Sequence, residues 1–219
     1  MTATAQDVSA AWGFAALFST VFGSGLALAA DDLYAPAPPA GSAFVRVVNA
    51  QPGSAALAAT VGGKSAGNVA FGQASAYVVV PQGEREANFG GQKKQGFAVA
   101  AGGFYTVALT PTGVVVVNDG TNTNLAKALV SLYNFSGKPS LDLKTADGAT
   151  TVVAGVASGA AGSRAVNPLT VGFVAMSGAE LLYTQPSVTL DRGSAYSLIV
   201  MGPPEKPTGT WVKSATRAN

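Results

Sequence analysis

FVRVVN (residues 44–49) returns 85 positions later as LVSLYN (129–134), and the reading of this pair decides the fold. Both are short, rich in β-branched and apolar residues, and close on an asparagine. The same 85-residue offset aligns AALAATVGG (55–63) with SLDLKTADG (140–148). GGFYTVALT (102–110) matches GSAYSLIVM (193–201) at an offset of 91. Each unit opens on an apolar strand ending in asparagine and closes on a glycine, a tyrosine and a second apolar strand. Self-similarity at this length implies tandem related domains, because solenoid repeats are shorter.

Between these landmarks the apolar runs stay short, with turn residues between them. In the first unit the pattern predicts strands near 44–49, 55–61, 76–81, 86–90, 95–100, 104–110 and 113–118. In the second it predicts strands near 128–135, 140–146, 150–154, 163–166, 169–175, 179–183, 187–190, 195–201 and 210–213. Window 122–130 is the one place where a helix could start. Such dense turn signals fit an all-β chain of two tandem antiparallel sandwich-like domains. The expected boundaries are 43–120 and 127–219, joined through the polar stretch NDGTNTNLAK (118–127).

Strand alternation then sorts the side chains. Val45 and Val47 share one face with counterparts Val130 and Leu132, and this is the core face. Phe44, Arg46 and Val48 share the other, matched by Leu129, Ser131 and Tyr133. A face mixing aromatic, aliphatic and polar groups in both copies is a half-exposed edge or a docking surface. Arg46 either lies over apolar surface with its head in water or supplies a charge-assisted bond to a partner.

The front of the chain reads as an export signal. Residues 8–30 carry no charge and end in Ala27-Leu28-Ala29, small residues where a signal peptidase cuts. Cleavage is expected near Ala29 or Ala30, removing residues 1–30 and leaving the Pro-rich segment 31–42 as a stiff linker. A retained membrane anchor is the competing reading. The cleaved chain would carry a net charge of about +3.

Composition excludes much chemistry. The 219 residues are 48% hydrophobic and 11% charged, with 27 glycines and 12 prolines, as suits a turn-rich β protein. The chain has no cysteine and no histidine. Disulfides, thiolate metal sites and serine–histidine–aspartate catalysis are therefore impossible. Ser136-Gly137, Ser158-Gly159 and Ser177-Gly178 lack the strand–elbow–helix setting of a hydrolase nucleophile. Gly90-Gly91 and Gly102-Gly103 lack the spacing of a phosphate loop. The acids Asp119, Asp142, Asp147, Glu180 and Asp191 are scattered, with no glycosidase pair among them. Basic residues cluster only at Lys93-Lys94, so no nucleic-acid surface is expected. No catalytic residue, metal ligand or cofactor site is assigned. Asn134-Phe135-Ser136 matches a glycosylation acceptor, a pattern common by chance.

Aromatic residues remain as binding candidates. Tyr105 and Tyr196 occupy equivalent places inside apolar strands and read as core. Tyr34 and Trp211, in terminal segments near charges and prolines, are better placed for a partner. With Phe44, Arg46 and Tyr133 they form the candidate partner-binding set.

LYAPAPPAGSAFVRVVNA (33–50), SLDLKTADGATTVV (140–153), Asn167-Pro168 and TWVK (210–213) together resemble the AlgF family of alginate O-acetylation proteins. The likeness spans most of the chain after residue 30 and is weak over 62–100. It implies a periplasmic adaptor that helps acetylate the mannuronate residues of alginate. Its implied partners are the acetylation proteins AlgI, AlgJ and AlgX, and the alginate polymer. The competing functions are a carbohydrate-binding module and a histidine-independent O-acetyltransferase.

Overall fold

The computed structural model describes residues 37–215 apart from Gln92. The expected signal peptide, Tyr34 and the first half of the proline-rich segment, 31–36, lie outside the described residues. All regular structure described is β. The first half comprises β1 (Ser42–Asn49), β2 (Leu57–Val61), β3 (Lys64–Val69), β4 (Val78–Pro81), β5 (Gly83–Phe89), β6 (Lys93–Val99), β7 (Phe104–Thr110) and β8 (Gly113–Asn118). The second comprises β9 (Ala128–Phe135), β10 (Ser140–Thr145), β11 (Thr151–Ala157), β12 (Ala161–Val166), β13 (Thr170–Ser177), β14 (Glu180–Thr189), β15 (Ala195–Met201) and β16 (Thr208–Lys213).

Each half is a sandwich of two four-stranded sheets. The orders are β4-β1-β7-β8 and β3-β2-β5-β6 in the first half, and β12-β9-β15-β16 and β11-β10-β13-β14 in the second. Strand for strand, the two orders are the same. The register repeats too. β1 and β7 run parallel, with Phe44 beside Phe104 and Arg46 beside Thr106. β9 and β15 also run parallel, with Leu129 beside Ala195 and Ser131 beside Ser197. The 85- and 91-residue offsets carry one set of pairs onto the other.

Two inherited details explain the sequence signature. The strand-ending asparagines close equivalent corners. Asn49 Nδ2 donates to Val69 O at 3.1 Å, and Asn134 Nδ2 donates to Val156 O at 3.0 Å. Both side chains are fully buried, so their bonds replace lost water. Asn134 is therefore closed to glycosylation in the folded chain. The closing tyrosines also match. Tyr105 Oη accepts from Ala100 N and Tyr196 Oη from Asp191 N, each at 3.0 Å and each five residues upstream. This resembles the tyrosine corner of immunoglobulin-like sandwiches.

Val45 and Val47 enter the first core with Val61, Phe89 and Val107. Val130 and Leu132 enter the second with Leu141, Phe173 and Leu198. The expected core face is the observed one. A third apolar cluster lies between the halves and contains Val48, Ala108, Val117, Tyr133, Phe135, Ile199 and Met201. The outer faces of β4-β1-β7-β8 and β12-β9-β15-β16 thus pack on each other, making four sheet layers in all.

Three expectations are corrected. β3 was not foreseen, because KSAGNV is poor in β-forming residues and only Ala66 and Val69 are buried. The separate strands 179–183 and 187–190 are one strand, β14. It carries Pro186 through an irregularity where Val171 faces Val188 but Phe173 faces Gln185. β14 is an edge, where a missing N–H costs no ladder bond. Residues 122–127 form turns and irregular chain in place of a helix, with β9 starting at Ala128.

Candidate functional site

The polar residues with most chemical potential meet in the seam between the halves. Arg46 projects from the seam face of β1 and is 1% exposed. Its Nε donates to Thr106 Oγ1 at 2.9 Å, and its Nη2 crosses to Ser197 Oγ of the other half at 3.0 Å. The guanidinium carbon lies 5.1 Å from the Tyr77 ring centroid and 4.9 Å from that of Tyr133. Nη1 has no hydrogen-bond partner among the described residues, and the two ring faces supply part of the compensation a buried cation needs.

Asp119 completes the group. It lies just past β8, in the stretch expected to be a polar joint, yet only 6% of it is exposed. Its Oδ2 accepts from Tyr77 Oη at 2.7 Å and Thr106 Oγ1 at 2.8 Å, and its Oδ1 accepts from Tyr133 Oη at 2.8 Å. With three hydroxyl donors and a guanidinium one hydroxyl away, both oxygens of this buried carboxylate are engaged as acceptors.

Burial opposes the Arg46 charge, but Tyr133, Tyr77 and Asp119 outweigh it, so its pKa sits above its ordinary value. Burial pushes the Tyr133 phenol up to about 12; Arg46 pulls it back and Asp119 adds to the rise. Burial raises Tyr77 in the same way. Both phenols stay neutral donors at ordinary pH.

The contacts across the seam follow one rule. β1 meets β15 through Arg46 and Ser197. Thr210 Oγ1 of β16 donates to Gly72 O, shortly before β4, at 2.6 Å. Gly159, before β12, lies against Val115 of β8. The inner strand β1 meets the copy of β7, and the region of each edge, β4 or β8, meets the copy of the opposite edge. This is the geometry of an isologous pair, here built within one chain.

Thr106 hydroxyl beside Asp119 carboxylate resembles a nucleophile with its base. Thr106 is 0% exposed, however, and no substrate atom can stand against its Oγ1. The arrangement fixes the two halves to each other. Among the described residues no three His, Cys, Asp or Glu side chains converge as metal ligands.

Of the partner-binding candidates, the seam brings together Arg46 and Tyr133, both 1% exposed. The expectation of an arginine head in water is overturned, and the partner these two residues meet is the chain's own other half. Phe44 is half-buried and stacks on Phe104 with 4.4 Å between centroids. Trp211 faces the second core, stacked on Phe173 at 5.2 Å and Tyr196 at 5.9 Å. It serves packing more than display. Sequence reasoning missed Thr106, Tyr77 and Asp119 as members of this group. The available signal was Thr106 standing in β7 at the parallel-register position of Arg46.

Clefts open at both ends of the seam. One, of about 260 Å³, is lined by Tyr77, Phe104, Asn122, Leu129 and Ser214 among others. The other, of about 370 Å³, lies by the β7–β8 turn, with Pro111, Val115, Phe135, Ser158 and Pro204 in its walls. Among the described residues neither wall carries a charged side chain.

Comparison with known proteins gives the family. A family model described as "Alginate O-acetyl transferase AlgF" matches residues 18–197. The chain belongs to the AlgF family. The alginate biosynthesis protein AlgF of Pseudomonas syringae pv. tomato is 37% identical over 182 residues, covering 83% of this chain and 80% of that protein. AlgF of Pseudomonas aeruginosa is 36% identical over 188 residues, covering 85% of each. A solved structure of the C-terminal domain of Pseudomonas aeruginosa AlgF is 41% identical, with a TM-score of 0.38, covering 40% of this chain and 98% of that one.

Proposed function

We propose that the protein is a periplasmic adaptor for alginate O-acetylation, binding acetyltransferase components and holding them near the polymer. It makes and breaks no covalent bond itself. The supporting observation is the fate of its reactive groups. Arg46, Thr106, Asp119, Tyr77 and Tyr133, the largest concentration of acid, base and hydroxyl groups described, are sealed inside the seam. The smaller group of Asp191, Lys213 and Tyr196 is a solvent-exposed ion pair beside a tyrosine that caps its own strand. A chain lacking histidine and cysteine has few other routes to acyl transfer near neutral pH. Family membership supplies the pathway, and the names of the relatives place them in alginate biosynthesis.

Four sheet layers with both interior cores and the seam filled leave the outer sheet faces, edges and clefts for contact with other molecules. The test is co-purification of the tagged chain from the periplasm and membranes of an alginate-producing host. AlgI, AlgJ or AlgX should come with it in stoichiometric amount. Retention of alginate oligomers with none of these proteins would replace the adaptor with a carbohydrate-binding module.

A further inference from the structure

The four sheets present eight edge strands among the described residues: β4 and β8, β3 and β6, β12 and β16, β11 and β14. An unprotected edge invites pairing with another strand, and proteins usually blunt edges with charge, proline, short length or a bulge. Seven of these edges carry such protection. β3, β6, β12 and β16 hold Lys64, Lys93, Arg164 and Lys213. β4 has four residues and ends at Pro81. β11 and β14 are broken by register shifts.

β8 has none of these. Its sequence is GVVVVN, uncharged and without proline, and it pairs with β7 in unbroken register from Tyr105–Asn118 to Thr110–Gly113. The phase of that pairing is known, because Asp119 N donates to Phe104 O at 2.8 Å. Alternation along an antiparallel ladder then turns the peptide groups of Val117, Val115 and Gly113 toward β7. Those of Val114, Val116 and Asn118 turn outward. No hydrogen bond to these three backbones is found among the described residues. Val116 is 36% exposed and Asn118 is exposed, so the edge is open to solvent.

We infer that β8 is a strand-addition site, taking an extended, uncharged segment of a partner protein as a further strand of the β4-β1-β7-β8 sheet. Main-chain bonds to Val114, Val116 and Asn118 give the affinity, and a neighbouring pocket gives the selectivity, as in other strand-addition complexes. That pocket is the cleft of about 370 Å³ that reaches Val115. An added strand would stand a side chain of its Val115-facing side beside this cleft, whose neutral wall of Pro111, Phe135, Pro204, Ser158 and Gly159 suits a small apolar or hydroxyl group. A second copy is the poorer occupant. Six residues of strand span roughly 20 Å, and their pairing alone buries far less than the roughly 800 Å² per partner of a stable dimer. This inference deepens the adaptor reading and rests on it for the class of partner.

The test uses the purified protein and a neutral synthetic peptide of alternating valine and threonine with Gly-Ser ends. Backbone amide exchange is followed residue by residue. Saturating peptide should slow exchange at Val114, Val116 and Asn118 at least tenfold while leaving β16 unchanged. Val116→Pro removes one outward N–H without touching the β7 ladder and should weaken binding at least tenfold. Val116→Lys keeps that N–H and places a charge on the edge, so it should weaken binding with an unchanged melting temperature. Unprotected amides, or protection confined to another edge, overturn the proposal. So does a wild-type dimer that either variant converts to monomer, since it gives the edge to a second copy. Val116→Lys protein that still co-purifies with the acetylation proteins sinks this surface and spares the adaptor reading. Peptide protection without any co-purifying acetylation protein does the reverse.

Discussion

Arg46 and Asp119 are joined through one hydroxyl: Thr106 Oγ1 accepts from Arg46 Nε at 2.9 Å and donates to Asp119 Oδ2 at 2.8 Å. Both charges belong to the first half of the chain, yet each also bonds the second, Arg46 through Ser197 and Asp119 through Tyr133. Removing either charge strands the other away from water. Arg46→Ala should therefore cost about 3–5 kcal/mol in urea unfolding, the usual penalty for breaking a buried charge pair. In the paired replacement Arg46→Met with Asp119→Asn, the loss should be well below the sum of the singles. Additive losses would show that the two charges are independent.

Tyr133 makes stability fall in alkali. Its phenol titrates near its ordinary value of 10.0 when unfolded and is pushed up to about 12 when folded. Between those values the unfolded chain releases a proton that the native chain keeps, so rising pH favours unfolding. The contribution is fully present below pH 10 and is lost as pH climbs through the folded value. A melting-temperature series from pH 9 to 12 should show this fall, with a shallower slope in Tyr133→Phe. Equal slopes would separate the titration from this residue.

How far the sequence revealed this molecule depends on the residue. Val45, Val47 and their counterparts alternate with larger or polar residues, so strand period alone placed the first and second cores. The 85- and 91-residue offsets carried the strand pairing as well, because β1–β7 and β9–β15 keep one register. Arg46 was legible as an anomaly and illegible as a contact. Its partners Thr106, Asp119 and Ser197 lie 60, 73 and 151 residues away. Pairing of β1, β7 and β8 within one sheet brings the first two to it, and only closure of the seam brings Ser197. Asp119 was hidden by its neighbours, since NDGTNTN reads as exposed turn and one buried acid leaves that pattern unchanged. β3 was hidden because an edge strand half in solvent needs few apolar residues.

The strand-ending asparagines should be costly to lose, and equally so in both halves. Asn49→Ala and Asn134→Ala each leave a buried carbonyl unpaired, at Val69 and Val156 respectively. Each should lower stability by about 1–3 kcal/mol. Thermal unfolding of the two variants side by side checks this. A large loss in one alone would mean that only that corner depends on its asparagine.

Gly209 on β16 is held by packing. A Cβ there would stand 2.5 Å from the Tyr183 ring, so the ring must move to admit a methyl group. Gly209→Ala should destabilise by about 1–3 kcal/mol through overpacking. Measured against a Tyr183→Ala background, which removes the atoms in the way, the same substitution should cost less. With an equal cost in both backgrounds, the ring is not the obstacle.

The central claim is that this chain serves alginate acetylation by binding, with its polar cluster sealed as structure. The most direct measurement incubates the purified protein alone with an activated acetyl ester and oligomannuronate, and follows acetyl groups on the sugar by mass spectrometry. The account predicts no acetylation above the protein-free control, and the same result for Thr106→Val. Turnover by the wild-type chain, abolished in a folded Thr106→Val variant, would contradict it and make the seam an active site.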